Sequence, residues 1–139
     1  MKPKDYRLDE DGLRPIAHQT LTKDVQIQVA IAWSERRALI LNANKPGYSE
    51  AFTIEAEQYT LIRTAIFQAI ELFQNENGET LLKDIVKFVQ ENLGNHARFP
   101  KGRMTNYTRY TKTDLEARGE LERIPKSSPQ MVRLPTKNN

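Results

Sequence analysis

The apolar residues change their spacing near Ile54, and that change divides the chain into two parts. Upstream, Val25, Ile27, Val29, Ile31 and Trp33 alternate with Gln26, Gln28, Ala30 and Ala32. Period two held this long predicts a half-buried strand over Asp24–Trp33. A helix is the alternative, because Val25, Val29, Ala32 and Trp33 also share a helical face. Arg37 to Leu41 is a short apolar run that enters a turn-rich stretch, Asn42 to Tyr48, with Pro46-Gly47 inside it. Glu50 to Thr53 supplies the returning strand. A small β element is therefore expected over residues 24–53.

Downstream the period lengthens. Ala56, Tyr59, Ile62, Ala65, Ile66, Ala69, Ile70 and Phe73 fall three and four apart, which predicts an amphipathic helix with Thr53 as its cap. Asn75 to Gly78 interrupts it. Leu81, Leu82, Ile85, Val86, Phe88, Val89 and Leu93 then predict a second helix ending near Gly94. A third runs from Arg103 towards Gly119, its core stripe formed by Met104, Tyr107, Thr111, Leu115 and Arg118, with Tyr110 left open. Thr105, Thr108, Thr111 and Thr113 are β-branched, so Tyr107–Thr113 fits a strand equally well on propensity alone. Better helix formers over Asp114–Arg118 and a closing Gly119 favour the helix.

After Gly119, Leu121–Ile124 and Gln130–Leu134 alternate on either side of a Pro-Lys-Ser-Ser-Pro turn, the signature of a hairpin. Helix, glycine stop and basic hairpin form the second half of a winged helix. The expected fold is therefore α+β: a winged helix-turn-helix of three helices and a C-terminal β-wing, preceded by the small N-terminal strand element. The expected organisation is a flexible arm over residues 1–23, one domain over 24–135 and a tail over 136–139.

Charge sharpens this picture. The net charge is +3, but residues 1–93 carry 11 Lys/Arg against 14 Asp/Glu, a net of −3. Residues 94–139 carry 10 against 4, a net of +6. A basic third on an otherwise acidic chain is suited to a polyanion. The 139 residues contain no cysteine, which removes disulfides, thiolate nucleophiles and Cys-based zinc. With no apolar run of membrane length and no secretory h-region, the expectation is cytoplasmic.

Candidate binding residues lie opposite the core stripe of the third helix: Arg103, Thr105, Asn106, Arg109, Lys112 and Thr113. Arginine and asparagine bond bidentately to guanine and adenine edges, while lysine and threonine suit phosphates. Lys126, Ser127 and Ser128 at the wing tip are placed to add phosphate contacts. His18 and His96 have no convergent ligands at metal-site spacing. No serine sits in a nucleophile elbow, and the glycines form no phosphate-cradling repeat. Neither a catalytic site, a metal nor a cofactor is expected.

Several short motifs extend the argument. Asn42-Ala43-Asn44-Lys45-Pro46-Gly47 leads to a strand and a helix that opens near a tyrosine, over Thr53 to Tyr59; Phe99-Pro100-Lys101-Gly102 enters a helix ending Asp114-Leu115-Glu116-Ala117-Arg118-Gly119; a Glu-Arg-x-Pro wing follows at Glu122–Pro125. Over residues 38–134 this resembles a small bacterial family of uncharacterised winged-helix proteins. The resemblance implies the fold and carries no activity with it. The third helix departs from the family pattern at Thr108, Tyr110, Thr111 and Thr113.

The leading expectation is a DNA-binding module of the transcriptional-regulator kind, with double-stranded DNA as partner. The rival is a protein-interaction or assembly module on the same scaffold. In that reading Val25, Ile27, Val29, Ile31 and Trp33 form an edge strand or the face of a homodimer.

Overall fold

The computed structural model describes residues 21–42 and 51–135. Most of the arm, the 43–50 turn and the tail lie outside the described residues, as does His18. In chain order the elements are α1 (Lys23–Ser34), β1 (Arg37–Ile40), β2 (Phe52–Glu55), α2 (Ala56–Phe73), β3 (Glu79–Leu81), α3 (Leu82–Leu93), α4 (Met104–Ala117), β4 (Glu122–Arg123) and β5 (Met131–Arg133). The fold is mixed α+β with two small antiparallel sheets, β1–β2 and β3–β5–β4.

The segment expected as a strand is α1. Thr22 caps it, its hydroxyl accepting from the Val25 amide at 3.4 Å, and Asp24 lies in the first turn, where the helix dipole favours a carboxylate. Leu21, Val25 and Val29 repeat every four residues and pack against Leu39, Leu41 and Ala117. Trp33 meets Tyr59 edge-on at 6.3 Å. Ile27 and Ile31 point away, 51% and 55% exposed. The expected edge strand is therefore corrected to a helix, in which Val25, Val29 and Trp33 pack within this chain.

β1 and β2 pair with Arg37 opposite Glu55 and Ile40 opposite Phe52. This places Ala38, Ile40 and Ile54 on one buried face with Tyr59. The strand thus runs past Thr53, and the α2 cap falls on Glu55 instead, whose amide donates to Gln58 Oε1 at 3.0 Å. α2 crosses the centre: Ile62, Ile66 and Ile70 are fully buried against Ile85 and Val89 of α3 and Met104 and Leu115 of α4. Each such side chain contributes about 1.5–3 kcal/mol of burial.

β3 was not evident from the sequence pattern. It occupies the three residues before α3 and pairs with β5, Thr80 opposite Val132. The hairpin is thereby attached to the helices at the start of α3, where the Leu82 amide also donates to the Gln130 carbonyl at 2.9 Å. The Pro-Ser turn is closed by Ser127, whose hydroxyl donates to the Ile124 carbonyl at 2.7 Å and accepts from the Met131 amide at 3.0 Å.

α4 is helical despite its threonines. The Thr108 hydroxyl donates to the Met104 carbonyl and that of Thr113 to the Arg109 carbonyl, at 2.8 and 2.9 Å, so both are satisfied within the helix. A buried polar network then fixes its C-terminal half. Asp114 accepts from the Leu41 amide at 2.8 Å, the Tyr59 hydroxyl at 2.6 Å and Arg118 Nε at 2.8 Å. Arg118 also donates to the Leu39 carbonyl at 3.0 Å and covers the Tyr59 ring.

Burial pushes the Asp114 carboxyl above its ordinary value, while Arg118 and the three donors oppose that rise. Burial also raises the Tyr59 hydroxyl well above its usual range. Burial lowers the Arg118 guanidinium, but the Asp114 carboxylate outweighs this and holds it fully charged. Gly119, at φ 75°, ends α4 in the left-handed region, as a closing glycine should. The Asp-Leu-Glu-Ala-Arg-Gly motif is thus largely a structural device that docks α4 onto β1 and α2.

Candidate nucleic-acid interface

The acidic residues of the basic third are already occupied. Asp114 holds Arg118, Glu116 holds Lys112 at 3.1 Å, Glu120 holds Arg63, and Glu122 holds Arg133 at 2.9 Å. Arg98 is engaged from the other side by Glu55 and Glu57. That leaves Lys101, Arg103, Arg109, Arg123 and Lys126 exposed, with no ion pair among the described residues. Lys83 on α3 joins them. Five of the segment's ten cations therefore lie exposed with no ion pair among the described residues.

Lys83, Arg103, Arg109 and Arg123 flank α4. Inside the helix lie Met104, Thr108, Thr111 and Leu115; outside lie Asn106, Arg109 and Tyr110, with Thr105 and Thr113 half-buried at the margins. On one flank a groove of about 520 Å³ opens between α4, the start of α3 and the three-stranded sheet. Lys83, Arg109, Lys112 and Arg123 line it, over an apolar floor of Leu82, Val86 and Pro129. On the other flank a smaller hollow of about 260 Å³ is lined by Arg103, Asn106, Tyr107, Tyr110 and Phe52. There Phe52 and Tyr110 meet edge-to-face at 4.9 Å, both well exposed.

The expected residues thus divide between two neighbouring features. Arg109 and Lys112 fall in the basic groove; Arg103 and Asn106 fall beside the aromatic hollow. Lys126 is exposed at the hairpin turn, with a left-handed φ of 61°. Two expectations change. Lys112 is not on the open face: it is 5% exposed, at the groove edge, and held by Glu116 four residues later. Ser127 is committed to closing its own turn through both hydrogen bonds described above.

Lys83 and Arg123 escaped sequence reasoning. They are 40 residues apart and are brought together only because β3 seats the hairpin against α3. The Lys112–Glu116 pair was missed as well, although opposite charges at i,i+4 are the signal that would have found it. Tyr107, favoured for the core, packs against it and meets Phe99 edge-on at 5.5 Å. Tyr110 is 40% exposed and belongs to the outer face.

The start of α3 adds to the electrostatics of the groove. Its first residues, Leu82 and Lys83, line it, and the positive end of the helix dipole reinforces the nearby cations. No helix among the described residues is long and apolar enough to cross a membrane. Neither a curated protein nor a solved structure matches the sequence. Residues 37–132, from β1 into β5, match the DUF6958 family of unknown function, and the chain belongs to that family.

Proposed function

We propose that the chain is a winged-helix module that binds duplex DNA through the outer face of α4, with the β4–β5 hairpin as its wing. The observation that carries this reading is the distribution of charge. Every acid between residues 94 and 135 is paired, while Lys83, Arg103, Arg109 and Arg123 beside α4, and Lys126 at the hairpin turn, have no ion pair among the described residues. The helix-then-hairpin order supports the same reading, because a recognition helix placed in a groove needs flanking contacts to the backbone. Arg109 and Asn106 occupy the positions suited to base edges. Lys83, Arg123 and Lys126 suit phosphates, and Arg103 can serve either. A role in transcriptional regulation and a cytoplasmic location accompany this proposal.

Fluorescence anisotropy of a labelled generic duplex at low salt tests it. Saturable binding is expected, weakened by Arg109→Glu and by Arg103→Glu, and unchanged by Lys23→Glu on α1, outside both hollows. Equal responses to all three reversals would reduce the interaction to bulk charge and refute the assigned face. The protein-interaction reading keeps two residues of the expected face, Ile27 and Ile31, one turn apart and exposed on α1. Sedimentation equilibrium of wild type against Ile27→Ser/Ile31→Ser decides whether that pair mediates self-association.

A further inference from the structure

The basic groove has more room and more varied chemistry than a backbone phosphate requires. Its volume of about 520 Å³ lies within the few-hundred-to-thousand range typical of small-molecule sites. Its lining has four cations and no carboxylate, and beside them the apolar side chains of Leu82, Val86 and Pro129. Lys112 is more than nine-tenths buried at its edge, and Glu116 is its one ion-pair partner among the described residues. An ammonium offers three donors, so Lys112 retains donor capacity where water access is poor. Gln130 also lines the groove, and its side-chain Oε1 is buried without a hydrogen-bond partner. A buried acceptor left unpaired is costly, so a ligand hydroxyl or amino group would be favoured beside it.

We propose that this groove binds a small phosphorylated organic molecule. Lys83, Arg109, Lys112 and Arg123 would hold the phosphate, Leu82, Val86 and Pro129 the apolar portion, and Gln130 a donor group. The positive end of α3 acts on the phosphate in the same direction as the side chains. The inference goes beyond duplex binding and does not depend on it. Because Lys83, Arg109 and Arg123 are shared, the ligand and a duplex would compete, making the molecule an effector if both readings hold.

Calorimetric titration of the full chain without DNA tests the proposal, with adenosine monophosphate, phenyl phosphate, inorganic phosphate and adenosine as probes at constant ionic strength. The expected result is one-to-one binding of at least one organic phosphate, about tenfold tighter than inorganic phosphate, a factor equivalent to about 1.4 kcal/mol. Adenosine alone should not bind detectably. Lys83→Gln/Arg123→Gln alters two exposed side chains and should abolish saturable binding with the melting temperature preserved; Lys112→Gln is the buried counterpart. The proposal is overturned if neither organic phosphate exceeds inorganic phosphate, or if binding survives in Lys83→Gln/Arg123→Gln. Failure here with intact duplex binding would leave the DNA reading standing.

Discussion

Replacing Asp114 with alanine should be among the most damaging single changes available in this chain. The side chain is fully buried and accepts three hydrogen bonds from three elements: the Leu41 amide after β1, Tyr59 of α2 and Arg118 at the end of α4. Truncation leaves the Arg118 guanidinium, 1% exposed, without its nearest counter-charge. Breaking a buried pair from one side costs about 3–5 kcal/mol. A domain of this size typically has about 5–15 kcal/mol in total, so the loss is a large fraction.

The assay is urea unfolding of wild type, Asp114→Ala, Arg118→Ala and the double variant, with the slope against denaturant required to stay constant. Removing both charges eliminates the stranded partner. The double variant should therefore lose less than the sum of the singles, by about 1–3 kcal/mol. It will not recover fully, because the Tyr59 hydroxyl and the Leu41 amide still lack their acceptor. Additive losses within about 0.5 kcal/mol, or an Asp114→Ala loss below about 1 kcal/mol, would refute the claim that this network docks α4.

Three further outcomes follow from the same geometry. Burial raises the Tyr59 hydroxyl above the ordinary tyrosine value of about 10, so its contribution is complete below that pH and is lost as pH rises through the folded value. The stability difference between wild type and Tyr59→Phe, measured by chemical unfolding, should consequently shrink as pH rises above that point; a constant difference would contradict it. Gly119→Ala places a Cβ at φ 75° and should cost about 1–2 kcal/mol, whereas an unchanged melting temperature would show that the helix end tolerates it. Lys112→Glu should destabilise by several kcal/mol by setting a like charge beside buried Glu116, while Arg109→Glu on the open face should stay within about 0.5 kcal/mol; equal effects would contradict the placement of Lys112.

The helices α2 and α3 were legible because their apolar spacing fits only one period, and α4 because Asp114–Arg118 and the closing Gly119 outweigh its β-branched threonines. Ile62, Ile66 and Ile70 are compatible with a helix crossing a core, and they do so. α1 was not, because Val25, Val29 and Trp33 are four apart, which satisfies both a two-residue alternation and a helical face. Ile27 and Ile31 completed the alternation, yet they face outward; only tertiary packing against Leu39, Leu41 and Ala117 decides between the two. β3 is three residues long and gains its identity from Met131–Arg133, some fifty residues later, a pairing no local pattern contains.

The candidate interface shows the same division. Arg103, Asn106 and Arg109 could be read from the helical wheel of α4. Lys83 and Arg123 could not, since their proximity depends on that long-range strand pair. Lys112 was misplaced because the wheel assigns an angle, and at the margin of the buried arc a long side chain can fold inward against Glu116.

The salt dependence of affinity for generic duplex DNA tests the central proposal most directly. Each phosphate neutralised steepens the slope of log affinity against log salt by about 0.9. With Lys83, Arg103, Arg123 and Lys126 on phosphates, the slope should be about −3.6. In Lys83→Gln/Arg109→Gln/Arg123→Gln it should relax towards about −1.8, with the folded state intact. A protein that fails to bind at low salt, or a triple variant whose slope matches wild type, would contradict the account.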